Sequence, residues 1–271
     1  MKRASLIEVI KMFIVTAVLL ITLFPIYWMI VTSLEPWELV LVWPPAFIPK
    51  QLTLEYWGWV GSRFLLPLRN TLIIAGSTTV ISVAVGLPAA YSFSRFRIGG
   101  KTLPFWVLSL RFLPGIVPCV AFYILFRALG LLDTHLAVII AHLLITLPFS
   151  IWMFKVFLDA MPRELEEAAL VDGCTYYQVL RRIVLPLALP SIAVVALFSF
   201  TWSWNEFMLV LILTKSQAYT LPVMIASFRG AGMIWGGVSA GALLSLIPAI
   251  ILAVFFQRYL VAGLTMGAVK G

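Results

Sequence analysis

Arg111 and Glu206 stand well inside long apolar runs of this 271-residue chain. An ionisable side chain is costly in such a place and is a functional candidate by default. Asn205 sets an amide beside Glu206. Facing water, a guanidinium, an amide and a carboxylate could offer donors and acceptors to the hydroxyls of a passing solute. Equally, the three could make polar contacts with a neighbouring membrane subunit. Measured from the same end of their runs, Arg111 lies about 12 Å deep and Glu206 about 24 Å deep. That mismatch speaks against a direct ion pair unless one helix is tilted or broken, and Pro114, Gly115 and Pro118 supply a place for a kink.

Other chemistries fall away on spacing. Gly100-Lys101-Thr102 imitates the end of a phosphate-binding loop, but its required first glycine falls at Arg95 and no strand precedes it. His135 and His142 are seven residues apart and share a helix face, which reads as packing rather than a proton relay. Cys119 lies in an apolar run and Cys174 in a polar loop, so no disulfide framework is implied. No HExxH pattern or Cys/His cluster appears, and the expectation is a chain with no cofactor or metal of its own.

The densest polar stretch is the loop 158–187, which reads as two short helices joined at a glycine. Pro162 suits a first helical turn, and Glu164, Glu166 and Glu167 gather at the positive end of that helix. Gly173 falls where a C-terminal cap needs positive φ. Thr175 with Gln178 forms a capping-box pattern for a second helix. Arg181 and Arg182 close it, and Pro186 and Pro190 mark the return to an apolar run. Such a hairpin suits a rigid plug in another protein's groove, or it simply links two spans.

The elements that position these residues belong to a membrane. Hydrophobic residues make up 62% and charged residues 11% of the chain, against about 25% charged in soluble domains. Mean hydropathy is +1.07. Six spans fit, at about 12–33, 70–94, 103–126, 135–157, 188–213 and 236–257, within a single domain over 1–271. The first is too long for a signal peptide and no cleavage site follows it, so it reads as retained. With the N-terminus inside, twelve Lys and Arg fall on the cytoplasmic side and six outside, Arg111 remaining within a span. This predicts both termini and the 158–187 loop in the cytoplasm. It also accounts for the net charge of +8 without nucleic acid. The outer segment 34–67 carries Trp37, Trp43, Trp57 and Trp59, which suit interfacial anchoring. Gly232, Gly236, Gly237 and Gly241 open the sixth span with small-xxx-small spacing, a pattern for close helix packing.

Glu167-Ala168-Ala169, three residues, Gly173, nine residues and Ile183-Val184-Leu185-Pro186 together resemble the EAA loop of ABC importer permeases. Gly130 to Thr134, Trp204 to Phe207 and the terminus from Gly263 resemble the carbohydrate-uptake subfamily and its maltose-permease G-type members. The likeness covers that family's whole length; within the EAA pattern the one departure is Cys174, where the family often has Ala. It implies an all-α integral membrane fold with six transmembrane helices, N-in and C-in, of the type I importer kind with cytoplasmic coupling helices. It implies a bacterial cytoplasmic membrane location, a heterodimer with a sister permease, two cytoplasmic ATPase subunits that bind ATP and Mg, and an extracytoplasmic solute-binding protein. Glu167, Ala168, Asp172 and Gly173 are then the coupling residues, and the tail around Lys270 reaches the ATPase pair. Substrate contacts in the maltose-type system come mainly from the sister permease, which tilts Arg111, Asn205 and Glu206 toward contacts with that subunit and away from a translocation pathway.

The expected function is import of a sugar or sugar-like solute, with glycerol phosphate or a polyol as alternative cargo. An ion-coupled transporter would need paired intramembrane acids and inverted repeats, and only Glu206 is available. An integral-membrane enzyme would need a nucleophile or metal constellation, and none assembles.

Overall fold

The computed structural model describes residues 6–228 and 235–266. In chain order the helices are α1 (Leu6–Leu34), α2 (Trp37–Val40), α3 (Glu55–Arg95), α4 (Thr102–Ser109), α5 (Ile116–Ala128) and α6 (His135–Ala160). Then come α7 (Glu164–Val171), α8 (Tyr176–Val179), α9 (Leu185–Leu187), α10 (Leu189–Asn205) and α11 (Met208–Leu213). α12 (Leu221–Ser227) and α13 (Trp235–Met266) complete the series. No strand occurs among the described residues, and the all-α expectation holds. Helices close their own backbone hydrogen bonds, which apolar surroundings require.

Among the described residues four helices, in α1, α3, α6 and α13, are individually long and apolar enough to cross a membrane. Two bent pairs raise that number to six if each pair is one span. The third expected span is therefore not one rod. α4 tightens into a 3-10 turn at Leu110–Phe112, and α5 leaves at 91° to it. Leu113 is extended, with ψ of 125°, because the ring of Pro114 crowds the helical region of the residue before it. The fifth span is broken twice. Leu180–Val184 forms a π turn just ahead of Pro186, which has no N–H to give a regular helix. The chain then bends by 75° into α10. Farther along, α10 stops at Asn205 and helix resumes only at Met208.

The described residues fall into two compact units. The larger, from 66–223 and 249–266, is organised around α6. At one end of α6, Phe154 and Leu158 are fully buried with Leu87 and Tyr91 of α3 and with Val179 and Val184 of the hairpin. At its other end, Ala137 and Val138 join Ile74, Phe126, Val210 and Leu213. Between the two cores runs a polar seam. Ser82 Oγ donates to Thr146 Oγ1 at 2.8 Å, Ser150 and Ser199 hydroxyls meet at 3.3 Å, and His142 Nδ1 meets Ser203 Oγ at 2.7 Å. Close approach is possible there because Gly86 has no Cβ; one would lie 3.0 Å from that of Ser150.

The smaller unit, from 6–65 and 224–248, contains the expected glycine contacts. A Cβ on Gly236 would fall 2.2 Å from the ring of Tyr56, and one on Gly241 would fall 3.1 Å from Ile225. Gly232 lies outside the described residues. Trp59 stacks obliquely on Phe228 at 4.5 Å, while Trp37 and Trp43 are exposed. α1 keeps almost every large apolar side chain exposed, Phe13 and Ile21 among them, as befits a helix facing lipid or another membrane helix.

Candidate functional site

α7 ends as its sequence predicts. Gly173 adopts φ of +86°, its N–H donates to Leu170 O and that of Cys174 donates to Ala169 O, both at 3.0 Å. These are the paired bonds of a Schellman cap. Thr175 and Gln178 then close a complete capping box on α8. Pro162 lies just outside α7. The hairpin's two turns are thus fixed by bonds local to it.

The two faces of α7 differ sharply. Glu166 and Ala169 turn inward and are buried. Glu167, Ala168, Asp172 and Gly173 are all exposed, so the four expected coupling residues share the open side. Val171 and Tyr177 stand among them with 87% and 69% of their surface free. Large apolar groups ringed by charge are the signature of a surface meant to be covered.

Glu166 was expected among the dipole-facing acids of the first turn, but its main role is different. Its Oε1 accepts from Arg95 Nη2 at 2.6 Å and Nε at 2.8 Å, and Tyr91 Oη donates to Oε2 at 3.0 Å. On sequence Arg95 enters only as one of the cytoplasmic cations and as the residue that spoils the apparent phosphate loop. It stands 71 positions from Glu166, and no local sequence signal announces the pairing.

The structure brings Arg111, Asn205 and Glu206 to the wall of one cavity of about 570 Å³. They meet despite their different depths along the chain, with Arg111 at the end of the first limb of the bent pair, just before its 91° break. Arg111 and Glu206 form no ion pair. The Arg111 guanidinium sits over the Phe149 ring at 4.4 Å, a cation–π arrangement. Phe198 and Trp202 add further aromatic wall. Asn205 donates from Nδ2 to Thr201 O at 2.8 Å. Glu206 sits in the helix break itself, where its two oxygens accept the N–H groups of Leu209 at 3.0 Å and Val210 at 3.2 Å. It therefore caps α11. Buried His142 brings Nε2 to 3.4 Å from Glu206 Oε2, an ion-pair distance too loosely aligned for a hydrogen bond. His135 does not join it; its Nε2 pairs with Asn70 Oδ1 at 2.8 Å.

A third polar centre was not anticipated. Asp133, in the left-handed region at φ of 60°, accepts the backbone N–H groups of Lys215, Ser216, Gln217 and Ala218 at 2.9 to 3.1 Å. Partial burial pushes its carboxyl up, but the four amides outweigh that and hold it at about 2, below the usual 3.8. Its sequence signal was the Gly130-to-Thr134 motif, which had been read only as part of a resemblance. Lys270 lies outside the described residues. No group of three His, Cys, Asp or Glu among the described residues could hold a metal ion.

Residues 82–266, which include the hairpin and the cavity, match the family described as binding-protein-dependent transport system inner membrane component. The chain is 35% identical over 266 residues to the diacetylchitobiose uptake system permease protein of Streptomyces coelicolor, covering 95% of this chain and 96% of that one. It is 38% identical over 281 residues to the trehalose/maltose transport system permease protein of Thermococcus litoralis, covering 97% and 99%. A solved structure of a bacterial ABC transporter involved in the import of the acidic polysaccharide alginate matches with a TM-score of 0.76 and 25% identity, over 96% of this chain and 99% of that one.

Proposed function

Because the chain belongs to the family of binding-protein-dependent transport system inner membrane components, we propose that it is one permease subunit of an ATP-driven importer for a sugar or sugar-like solute. Diacetylchitobiose, trehalose and maltose in the relatives' names support the carbohydrate class. The excess of Lys and Arg on one side supports N-in, C-in, which places the hairpin in the cytoplasm. A sister permease, two ATPase subunits that bind ATP and Mg, and an extracytoplasmic solute-binding protein complete the machine. This chain performs no covalent step; its task is to change shape when pushed.

The observation that carries this reading is the two-sided hairpin. Its outer face presents Glu167, Ala168, Asp172 and Gly173 with Val171 and Tyr177, while its inner face is tied to α3 through Arg95 and Glu166. A partner that seats on the outer face therefore moves the ends of α3 and α6 with it. The cavity at Arg111 and Asn205 gives the solute aromatic faces and hydrogen-bond groups, the combination sugars need. The Lys270 tail is assigned to the same ATPase pair.

Co-purification tests the coupling. Glu167→Lys and Val171→Asp should insert normally, lose the ATPase subunits on purification and abolish uptake. Undiminished co-purification and uptake in both variants would overturn the assignment.

A further inference from the structure

Between the end of α3 and the start of α4 the chain reverses in a turn that brings cations together. Arg97, Gly99 and Gly100 all have positive φ, at 53°, 71° and 64°. A Cβ on Gly99 would fall 2.3 Å from that of Leu103, so the turn can close this tightly only on glycine. The result is that Arg97 and Lys101 stand on one rim of a cleft of about 920 Å³, with Lys155 of α6 and Arg163 on its walls.

Four cations share this cleft with one acid, and that acid is already engaged. Asp159 accepts from Lys155 Nζ at 2.5 Å through one oxygen and from Ser94 Oγ at 2.6 Å through the other. Arg163 donates to Ser94 O at 3.2 Å. Arg97 and Lys101 are exposed and have no acceptor among the described residues. Like charges converging on one space repel unless an anion fills it. The remaining wall is apolar: Phe93, Phe105 and Trp152 line the cleft. Phe105 and its neighbour Trp106 are largely exposed along α4. A ligand that fits both halves carries a negative headgroup and a hydrocarbon body.

We propose that this cleft binds the phosphate of an anionic phospholipid, with Arg97 and Lys101 as its principal contacts and the acyl chain lying along α4. The site is separate from the cavity at Arg111 and takes no part in holding cargo. Its position explains why a lipid would matter. Ser94 and Arg163 flank the Arg95–Glu166 pair, so a bound headgroup bridges the α3–α4 turn to the root of the hairpin. Inorganic phosphate offers the same charge without the hydrocarbon, and the test separates the two.

The full chain, purified in nonionic detergent, is examined by native mass spectrometry with phosphatidylglycerol, with phosphatidylcholine, and with phosphatidylglycerol plus millimolar inorganic phosphate. The expected result is selective retention of phosphatidylglycerol that survives the phosphate. Retention should be about tenfold or more weaker in Arg97→Gln/Lys101→Gln, and unchanged in Arg181→Gln/Arg182→Gln, which removes two exposed cations from the hairpin. Thermal unfolding without added lipid should match the parent in both double variants, since neither leaves a buried charge behind. Equal retention of the two lipids, full retention in Arg97→Gln/Lys101→Gln, or equal loss in Arg181→Gln/Arg182→Gln would overturn the site. Displacement by inorganic phosphate would overturn the lipid as its occupant.

Discussion

Two nitrogens of Arg95 converge on a single carboxylate oxygen of Glu166, at 2.6 and 2.8 Å, and tie the last residue of α3 to the first turn of α7. Both side chains are less than a tenth exposed. Removing one member of a buried pair leaves the other charged without a partner, at a cost of about 3–5 kcal/mol. Arg95→Met and Glu166→Gln should each lower the unfolding temperature of the purified chain markedly. The double variant Arg95→Met/Glu166→Leu should recover much of that loss, because no orphaned charge remains. Uptake separates strut from staple. A double variant restored in stability but still poor in transport would show that the polar tie transmits motion, and full recovery of both would show that it only holds the fold.

Gly173 offers a cleaner test of backbone demand. Among the described residues nothing beyond its chain neighbours lies within 4 Å of where its Cβ would be, so a Cβ there meets open space. The cost of substitution is that of φ at +86°, about 1 kcal/mol or more for Ala and greater for a β-branched residue. Asn tolerates this region and should retain much of the uptake; Val should abolish it with membrane insertion intact. Equal failure of Asn and Val would shift the cause to the partner's groove, which then has no room for any side chain.

How far the sequence reaches depends on how local the cause is. The Gly173 cap and the Thr175–Gln178 box were legible because each is made by residues within a few positions of one another. The Arg95–Glu166 tie spans 71 residues, and no periodicity announces which acid of a cluster will turn inward. The break after Asn205 was missed for a related reason. A long apolar run reads as one helix, and only the polar pair within it, Asn205 and Glu206, hinted that a side chain would replace the backbone as acceptor. The bend at Pro114 was legible in kind but not in size, since proline predicts a kink and packing decides its angle.

Asp133 ties the 130–134 turn to the loop 214–218, and its charge makes the tie sensitive to pH. The folded chain holds its carboxyl at about 2, below the ordinary 3.8. The stabilisation is therefore fully present above 3.8 and is lost as pH falls through 2. Asp133→Asn should abolish this acid dependence and weaken the loop at neutral pH by about 1–2 kcal/mol. Hydrogen exchange reads it directly: the amides of 215–218 should exchange faster in the variant at neutral pH. Unaltered protection would mean that other bonds, such as Asn70 Nδ2 to Gln217 O, hold the loop unaided.

Glu206 and Arg111 line the same cavity, yet their commitments differ, and this predicts different phenotypes. Both Glu206 oxygens already serve the amides of Leu209 and Val210, so its carboxylate has little left to offer a solute. Arg111 is exposed and contacts the face of Phe149, which leaves its N–H groups available. Glu206→Gln keeps the shape but turns one acceptor into a donor facing an amide, and should cost about 1–3 kcal/mol of stability. Arg111→Gln should leave unfolding unchanged and raise the solute concentration for half-maximal uptake about fivefold, the weight of roughly one hydrogen bond. Uptake curves and thermal unfolding on the same two variants settle the matter. Should Arg111→Gln transport with parental concentration dependence, Arg111 does not contact the solute and the proposed solute role of this cavity falls.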